Sequence, residues 1–356
     1  MINLGSNPTT DSSVLYINAI NVHQGGGAKL LKHLLETSYD KKTIFLLDTR
    51  LDLSKVILRK NVHSKFISPT IKSRILSELW LSKVTTSNDT ILCFGNLPPL
   101  FPVKAKVIVF LQNGYLISKL KLTGFKFFIK LRILVERFWF RSRINAVDKF
   151  VVQTLSMKAL LSNFCDINLI TVAALFPSKL GYKRSLKATT NKLNSDSCFL
   201  YVASGDPHKN HINLIYAWCL LADEGIFPQL ILTIDSRKYT QLYDFIHENI
   251  LINQLHIKNI YKIDSVNELY EKADALIYPS LFESFGIPII EARSFNLPVL
   301  ASELDYVRDL IDPEGSFDPN SPVSIARAVK FFMGHKTNQV RLTSGIDFIN
   351  LISRIP

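Results

Sequence analysis

Short β-rich runs alternate with longer amphipathic runs along this chain, and the alternation occurs twice, on either side of a polar stretch. In the first half the candidate strands are Val14–Ile20, Thr43–Asp48, Val62–Ile67, Thr90–Phe94, Val107–Gln112 and Phe150–Gln153. The candidate helices there are Ala28–Glu36, Ile71–Val84, Phe125–Arg143 and Met157–Ser162. In the second half the strands are Phe199–Ala203, Gln229–Ile234, Lys258–Tyr261, Ala275–Tyr278 and Val299–Ala301. Helices lie between them, the last at Pro322–Phe332. Strand–helix alternation implies parallel sheets, because each crossover helix returns the chain to the same end of the sheet and covers one of its faces. Pro177–Ser197 is rich in Lys, Ser, Thr and Asn and reads as a linker. The expected class is therefore α/β: a Rossmann-like domain over 1–176, a linker over 177–197 and a second Rossmann-like domain over 198–356, with parallel sheets facing a central cleft. After Gly334 the pattern weakens, and the tail is expected to be partly disordered.

A chain of 356 residues is long enough for two cores. Its net charge of +12 is uneven: residues 1–178 carry +14 and residues 179–356 carry −2. An acidic partner facing the first half would explain this asymmetry. The positive charge peaks in Lys119–Arg143, which holds eight Lys/Arg, one acid and six Phe/Trp. Basic heads beside aromatic rings suit an anionic membrane surface, with Lys126, Lys130, Arg137 and Arg141 as candidate contacts. The plainer alternative is an amphipathic helix packed on the sheet with a solvated basic face. No apolar run reaches the roughly 20 residues of a membrane span, and the polar start does not read as a signal peptide. Cys93, Cys165, Cys198 and Cys219 have no paired spacing, and no His/Cys/Asp cluster has zinc spacing. Neither a disulfide framework nor a metal is expected, and the cysteines read as reduced thiols of a cytoplasmic protein.

The chemistry concentrates in Tyr278–Ser302, where Glu283 and Glu291 stand eight positions apart with Gly286 and Pro288 between them. Pro288 fits the first turn of a helix, where a missing N–H costs nothing. Glu283 then falls in the loop before that helix and Glu291 about one turn inside it. The N–H groups of Ser284, Phe285 and Gly286 gather at the positive end of the helix dipole, which suits a phosphate. Two acceptor-only carboxylates beside an anion site suit a ligand with both phosphate and hydroxyls, such as a nucleotide sugar. On an isolated surface helix the same two glutamates would be only a solvated face.

This stretch resembles the Glu-x7-Glu signature of the retaining family-4 glycosyltransferases (glycosyl transferases group 1, GT-B fold), of the kind found in bacterial O-antigen and capsular polysaccharide synthesis. The likeness runs through Pro279, Ser280, Glu283, Phe285, Gly286, Pro288, Glu291, Ala292, Pro298, Val299, Ala301 and Ser302. It implies that Glu291 accepts hydrogen bonds from the nucleotide ribose. It also implies that Glu283 contacts the donor sugar and steadies positive charge at the anomeric carbon. The run Tyr201–Asn210 is similar to the family's Lys-Asn loop and makes Lys209 the candidate partner of the donor diphosphate. Many members carry an arginine at the position of Ser204, so either Lys209 with the helix N-termini suffices or another cation such as Arg237 contributes. His208 reads as a surface or loop histidine.

Asn21–Gly27 follows the first strand. By itself it is a tight turn, but it matches the family's N-terminal glycine loop, where Gly26 and Gly27 would let the domains close on the donor. Gln112 and Asn113 stand near where many members place a histidine. They can hydrogen-bond hydroxyls but cannot serve as a general base, and otherwise they cap the strand. Thr154 reads as a helix cap, and Tyr261–Asp264 as a border of the nucleotide base. The resemblance implies metal-independent, cofactor-free glycosyl transfer with retention from a nucleotide sugar to a saccharide or lipid-linked acceptor. The enzyme would sit peripherally at the inner face of the cytoplasmic membrane. A sugar-nucleotide epimerase on the same fold and a non-catalytic, membrane-associated sugar-nucleotide-binding protein are the alternatives; a nucleic-acid partner is not expected.

Overall fold

The computed structural model describes residues 13–54, 56–57, 59, 62–119, 122–176, 197–261 and 266–335. Seven parallel strands form the first sheet: β1 (Leu15–Ala19), β2 (Thr43–Asp48), β3 (Val62–Ile67), β4 (Thr90–Cys93), β5 (Lys106–Phe110), β6 (Lys149–Val152) and β7 (Ile170–Val172). Their order is β3-β2-β1-β4-β5-β6-β7. Among the described residues four α-helices accompany them: α1 (Gly25–Leu35), α2 (Ile71–Val84), α3 (Phe127–Arg143) and α4 (Leu155–Leu161). The second sheet contains β8 (Cys198–Tyr201), β9 (Gln229–Leu232), β10 (Ile257–Asn259), β11 (Ala275–Tyr278), β12 (Val299–Ser302) and β13 (Gly315–Phe317), in the order β10-β9-β8-β11-β12-β13. Its helices are α5 (His211–Asp223), α6 (Thr240–Asn253), α7 (Asn267–Lys272), α8 (Ile287–Ser294), α9 (Asp305–Arg308) and α10 (Pro322–Phe332). In each sheet the order reverses beside its first strand. Ligands of doubly wound sheets bind at such a point, outside the carboxyl ends of the strands.

Pleating sends successive residues of β1 to opposite faces. Tyr16 faces one core, which also contains Leu46, Ile91 and Phe150, and Ile17 faces the other, which contains Phe45, Leu31 and Phe94. A strand buried on both faces is mostly apolar, which is why β1, β2 and β5 read so plainly in the sequence; the buried polar Asn18 and Asp48 near the ends of β1 and β2 are hydrogen-bonded to Glu78 and Arg50. The second domain is built around one core that includes Phe199, Tyr201, Trp218, Leu276 and Leu300.

Several boundaries differ from the sequence expectation. Helix α3 begins at Phe127 rather than Phe125, because Gly124 takes a left-handed φ of 80° and turns the chain just upstream. Phe125 instead stacks on His208 of the second domain. Helix α1 begins earlier than expected, at Gly25, whose own φ is 67°. Strands β7 and β13 carry three residues each, too few to show a two-residue period. The described residues of the proposed linker are Ser197 alone, and the tail after His335 also lies outside them.

Candidate active site

Strand β11 ends at Tyr278 and hands the chain to a loop that carries Glu283 into the space between the two sheets. Buried hydrogen bonds fix this loop. The carbonyl of Ser280 accepts from Ser302 Oγ at 3.0 Å and from Tyr306 OH at 2.8 Å. Asn210, left-handed at φ 60° as Asn tolerates, donates from Nδ2 to the carbonyls of Pro279 at 3.1 Å and Pro319 at 2.6 Å. Tyr201 OH donates to the carbonyl of Lys209 at 2.7 Å. These bonds clamp the Lys209 turn against the Glu283 loop.

Lys209 Nζ donates to Glu283 Oε1 at 2.5 Å, and Tyr278 OH donates to the same oxygen at 3.0 Å. Burial pushes the Glu283 carboxyl up, but the charge of Lys209, the nearby His208 and the Lys209 hydrogen bond together hold it below its ordinary value. Glu283 is therefore a carboxylate at neutral pH. Gly286 caps α8 at φ 76°, a conformation that suits glycine, and Pro288 sits in the first turn. Glu291, one turn in, accepts from Tyr270 OH at 2.8 Å and from Lys29 Nζ at 2.7 Å.

The first domain closes the other side. A Cβ on Gly26 would stand 2.8 Å from Ile287 Cδ1, and one on Gly27 would stand 3.4 Å from Gln112 Oε1. Further contacts hold the domains together. Ser156 N and Oγ donate to Asp309 at 2.7 and 2.5 Å, and Tyr115 packs edge-on against Phe282. Thr154 accepts from Met157 N, as a helix cap should, and also donates to the Ser284 carbonyl at 3.3 Å.

The resulting cleft measures about 800 Å³. Gly26, Gly27, Gln112, Ser204, Lys209, Glu283, Ser284, Phe285, Gly286 and Glu291 all line it. Tyr261 does as well, while residues 262–264 lie outside the described set. Asn113 instead caps a 3-10 turn, its side chain accepting from Tyr115 N at 3.1 Å, so it keeps the strand-capping role. Ser204 donates to Asp206 at 2.6 Å. Arg237 is not part of the cleft wall, and its guanidinium lies 3.7 Å from Asp235 in solvent. The neighbouring Lys238 lines the cleft in its place, together with Asp206, Thr233 and Tyr239. His208 packs against the rings of Tyr115 and Phe125, and burial lowers its basicity.

Among the proposed membrane contacts, Lys126 is the exposed N-cap of α3, Lys130 is half-buried and Arg141 is exposed over the ring of Phe164. Arg137 is committed to the carbonyls of Tyr115 and Ser118 at 2.8 and 3.2 Å. Among the described residues there is no cluster of three metal-ligating side chains, and no helix is long and apolar enough to cross a membrane.

Residues 183–344 match the sequence profile of the family described as glycosyl transferases group 1. An O-antigen chain mannosyltransferase of Salmonella typhimurium, RfbU, is 28% identical over 141 residues, which cover 39% of this chain and 39% of that protein. O-antigen chain mannosyltransferase B of Escherichia coli is 26% identical over 130 residues, covering 36% of this chain and 34% of that protein. The alignments thus span well under half of these relatives. Among solved structures, a glycosyltransferase from Rickettsia africae superposes with a TM-score of 0.66 at 14% identity, covering 91% of this chain and 89% of that one. Anabaena HepE in complex with UDP and glucose superposes with a TM-score of 0.64 at 14% identity, covering 90% and 89%.

Proposed function

We propose that this chain transfers a sugar from a nucleotide-sugar donor to an acceptor hydroxyl, with retained anomeric configuration, in cell-surface polysaccharide synthesis; the match of residues 183–344 to the group 1 glycosyl transferase profile and the two parallel-sheet domains of the GT-B type support the reading. The observation that carries the reading is the buried Lys209–Glu283 pair facing the glycine loop of the opposite domain across one cleft.

In this reading the donor diphosphate lies against the N–H groups of Ser284, Phe285 and Gly286, with Lys209 and Lys238 supplying positive charge. No divalent cation is assigned to the step. Glu291 accepts from the ribose hydroxyls, and Glu283 accepts from the donor sugar while its charge steadies the developing oxocarbenium ion. Every carboxylate among the described residues lining the cleft, Asp206, Asp235, Glu283 and Glu291, belongs to the second domain. The first domain contributes Gln24, Lys29, Gln112 and Gln153 as its polar side chains. Inversion needs a base on the acceptor's side of the sugar; the glutamines cannot act as one, and Lys29 is engaged as the cation of an ion pair with Glu291. That distribution supports retention. The anomeric C–O bond to the diphosphate breaks, the acceptor oxygen bonds to the same face, and its proton passes to the departing phosphate. Closing the domains over the donor excludes water and disfavours hydrolysis.

The acceptor in this proposal is a lipid-linked saccharide, reached by an enzyme resting on the inner face of the cytoplasmic membrane. The exposed basic and aromatic residues of α3 support that placement. The test is nucleoside-diphosphate release from a panel of nucleotide sugars, mannose donors first, with and without a lipid-linked acceptor extract, in wild type and Glu283→Gln. Acceptor-dependent release lost in the variant is expected. Saturable donor binding with no release from any donor would sink the transferase reading.

A further inference from the structure

A second cavity, of about 260 Å³, lies in the first domain between α2 and α3. Its walls are Ile71 and Ile75 of α2, Val135 and Trp139 of α3, and Leu97 and Leu100 of the loop after β4. Ile71, Ile75 and Val135 are also exposed, so the mouth is apolar as well as the interior. Phe128, Leu131 and Phe138, spaced around Val135 at helical intervals, extend exposed apolar surface along α3.

One cation, Arg74, and one carboxylate, Glu78, line this otherwise largely apolar space. Arg74 is half-buried and, among the described residues, makes no direct ion pair. The acids around it are all engaged elsewhere. Glu78 accepts from Asn18 Nδ2 at 3.0 Å and from Leu100 N at 3.1 Å, Glu136 pairs with Arg132 at 3.4 Å, and Asp48 is held by both guanidinium arms of Arg50. Glu136, Glu78 and Asp48 stabilise the Arg74 charge only from a distance, so its guanidinium lacks a direct partner beside the apolar walls, and a bound anion would supply one. Burial weakens its hold on the proton accordingly.

The cavity also adjoins the candidate active site. Phe94 and Asn96 hold Gln112 at the cleft through bonds of 3.1 and 2.6 Å, while Gly95 and Leu97 of the same loop wall the cavity. Asn18 and Ile20 line it at the end of β1, immediately before the chain enters the glycine loop.

We propose that this cavity is the lipid subsite: it takes the apolar chain of a single-chain lipid phosphate, with Arg74 pairing to the phosphate and α2 and α3 enclosing the tail. This deepens the acceptor assignment and rests on it. Exposed Lys72 of α2, Lys126 at the N-cap of α3 and Arg132 of α3 complement an anionic headgroup.

Trp139 provides a native reporter. Its emission is read in the full-length protein during titration with a bromine-tailed dodecyl phosphate, with the matching bromine-tailed dodecanol as the uncharged control and inorganic phosphate as competitor. Saturable quenching is expected, lost for the most part in Trp139→Phe. Binding is expected to weaken about tenfold or more in Arg74→Gln and with the dodecanol. Ile75→Glu should weaken it similarly; that side chain is 40% exposed, so the new carboxylate reaches water and the fold tolerates it. Equal affinity for dodecanol, or quenching unchanged in Trp139→Phe, overturns the proposal. Displacement by inorganic phosphate at the same concentrations as the probe also overturns it, by marking a free-anion site. Turnover of donor onto a soluble saccharide with no quenching sinks the lipid subsite alone. Probe binding without nucleoside-diphosphate release from any donor sinks the transferase reading and leaves the subsite standing.

Discussion

Lys29, on the first helix of the N-terminal domain, lies 2.7 Å from Glu291, the carboxylate on α8 of the opposite domain. The bridge joins the two halves of the cleft through the side chain proposed to receive the nucleotide ribose. A donor that claims Glu291 must therefore share it with Lys29 or displace it.

The first prediction follows from that competition. The Lys29 side chain is 49% exposed, so its bridge is worth no more than about 1 kcal/mol. Lys29→Met is expected to tighten nucleoside-diphosphate binding by at most about fivefold. Glu291→Gln keeps a partner for Tyr270 but removes the charge, and is expected to weaken binding about tenfold. Isothermal titration of both variants checks the pair. Weaker binding in Lys29→Met would show that the lysine contacts the ligand rather than competing with it.

The second concerns the Lys209–Glu283 pair, whose side chains are only 15% and 12% exposed. Lys209→Met strands a buried carboxylate and is expected to cost about 3 kcal/mol of stability. Adding Glu283→Gln should recover part of that loss, with a coupling of about 1–3 kcal/mol in a double-mutant cycle from denaturant titrations. Either single variant is expected to lower turnover by about 10²-fold or more. Additive stability losses would mean that the ion pair does not form.

Much of this fold was legible from residues alone, for reasons that differ by element. Thr43–Asp48 and Ala275–Tyr278 match observed strands to the residue because their mid-run residues are all apolar, as burial on both faces favours. Ile71–Val84 starts where Thr70 caps it by accepting from Ser73 N. The Glu283–Glu291 spacing was readable because Gly286 and Pro288 punctuate the turn between them. What could not be read depends on docking. Lys29 and Glu291 are 262 positions apart, and no local pattern announces their meeting. The choice between Arg237 and Lys238 turns on which way adjacent side chains leave one loop. Asn113 was ambiguous because the side chain that can bind a sugar can equally cap a turn, and here it caps.

The third prediction is a pH dependence. His211 is fully buried beside the Tyr201 ring, neither ring nitrogen has a hydrogen-bond partner among the described residues, and burial draws its pKa down to about 3. The unfolded chain takes up a proton below about 6.5 that the folded protein refuses. Between about pH 6.5 and 3 stability therefore falls as pH falls, by up to about 1.4 kcal/mol per pH unit from this group. His208, also lowered by burial, adds in the same direction below pH 6.5. Glu283, held below its ordinary value, adds its own loss only below about pH 4.5, as it becomes protonated. His211→Leu is expected to flatten the stability–pH curve between pH 6 and 5, as measured by urea unfolding at each pH. An unchanged slope would show that His211 does not titrate with unfolding.

The fourth prediction concerns domain closure. Gly114 begins the 3-10 turn after β5, and a Cβ there would stand 2.5 Å from Phe282 Cζ and 3.1 Å from Met157 Sδ. Phe282 belongs to the loop carrying Glu283 and packs on Tyr115 across the domain interface. A methyl group at this point meets side chains of both domains, Met157 backing it within the first and Phe282 facing it from the second, so something must shift. Gly114→Ala is therefore expected to displace Phe282 and open the cleft, whereas Gly225→Ala, which has open space at Cβ, tests only backbone strain at its φ of 74°. Small-angle scattering should show a larger radius of gyration for Gly114→Ala than for wild type. Turnover should fall about tenfold or more, because Glu283 and the glycine loop no longer face each other at a fixed distance. Unchanged scattering together with full activity would show that Phe282 swings aside without disturbing the closed arrangement.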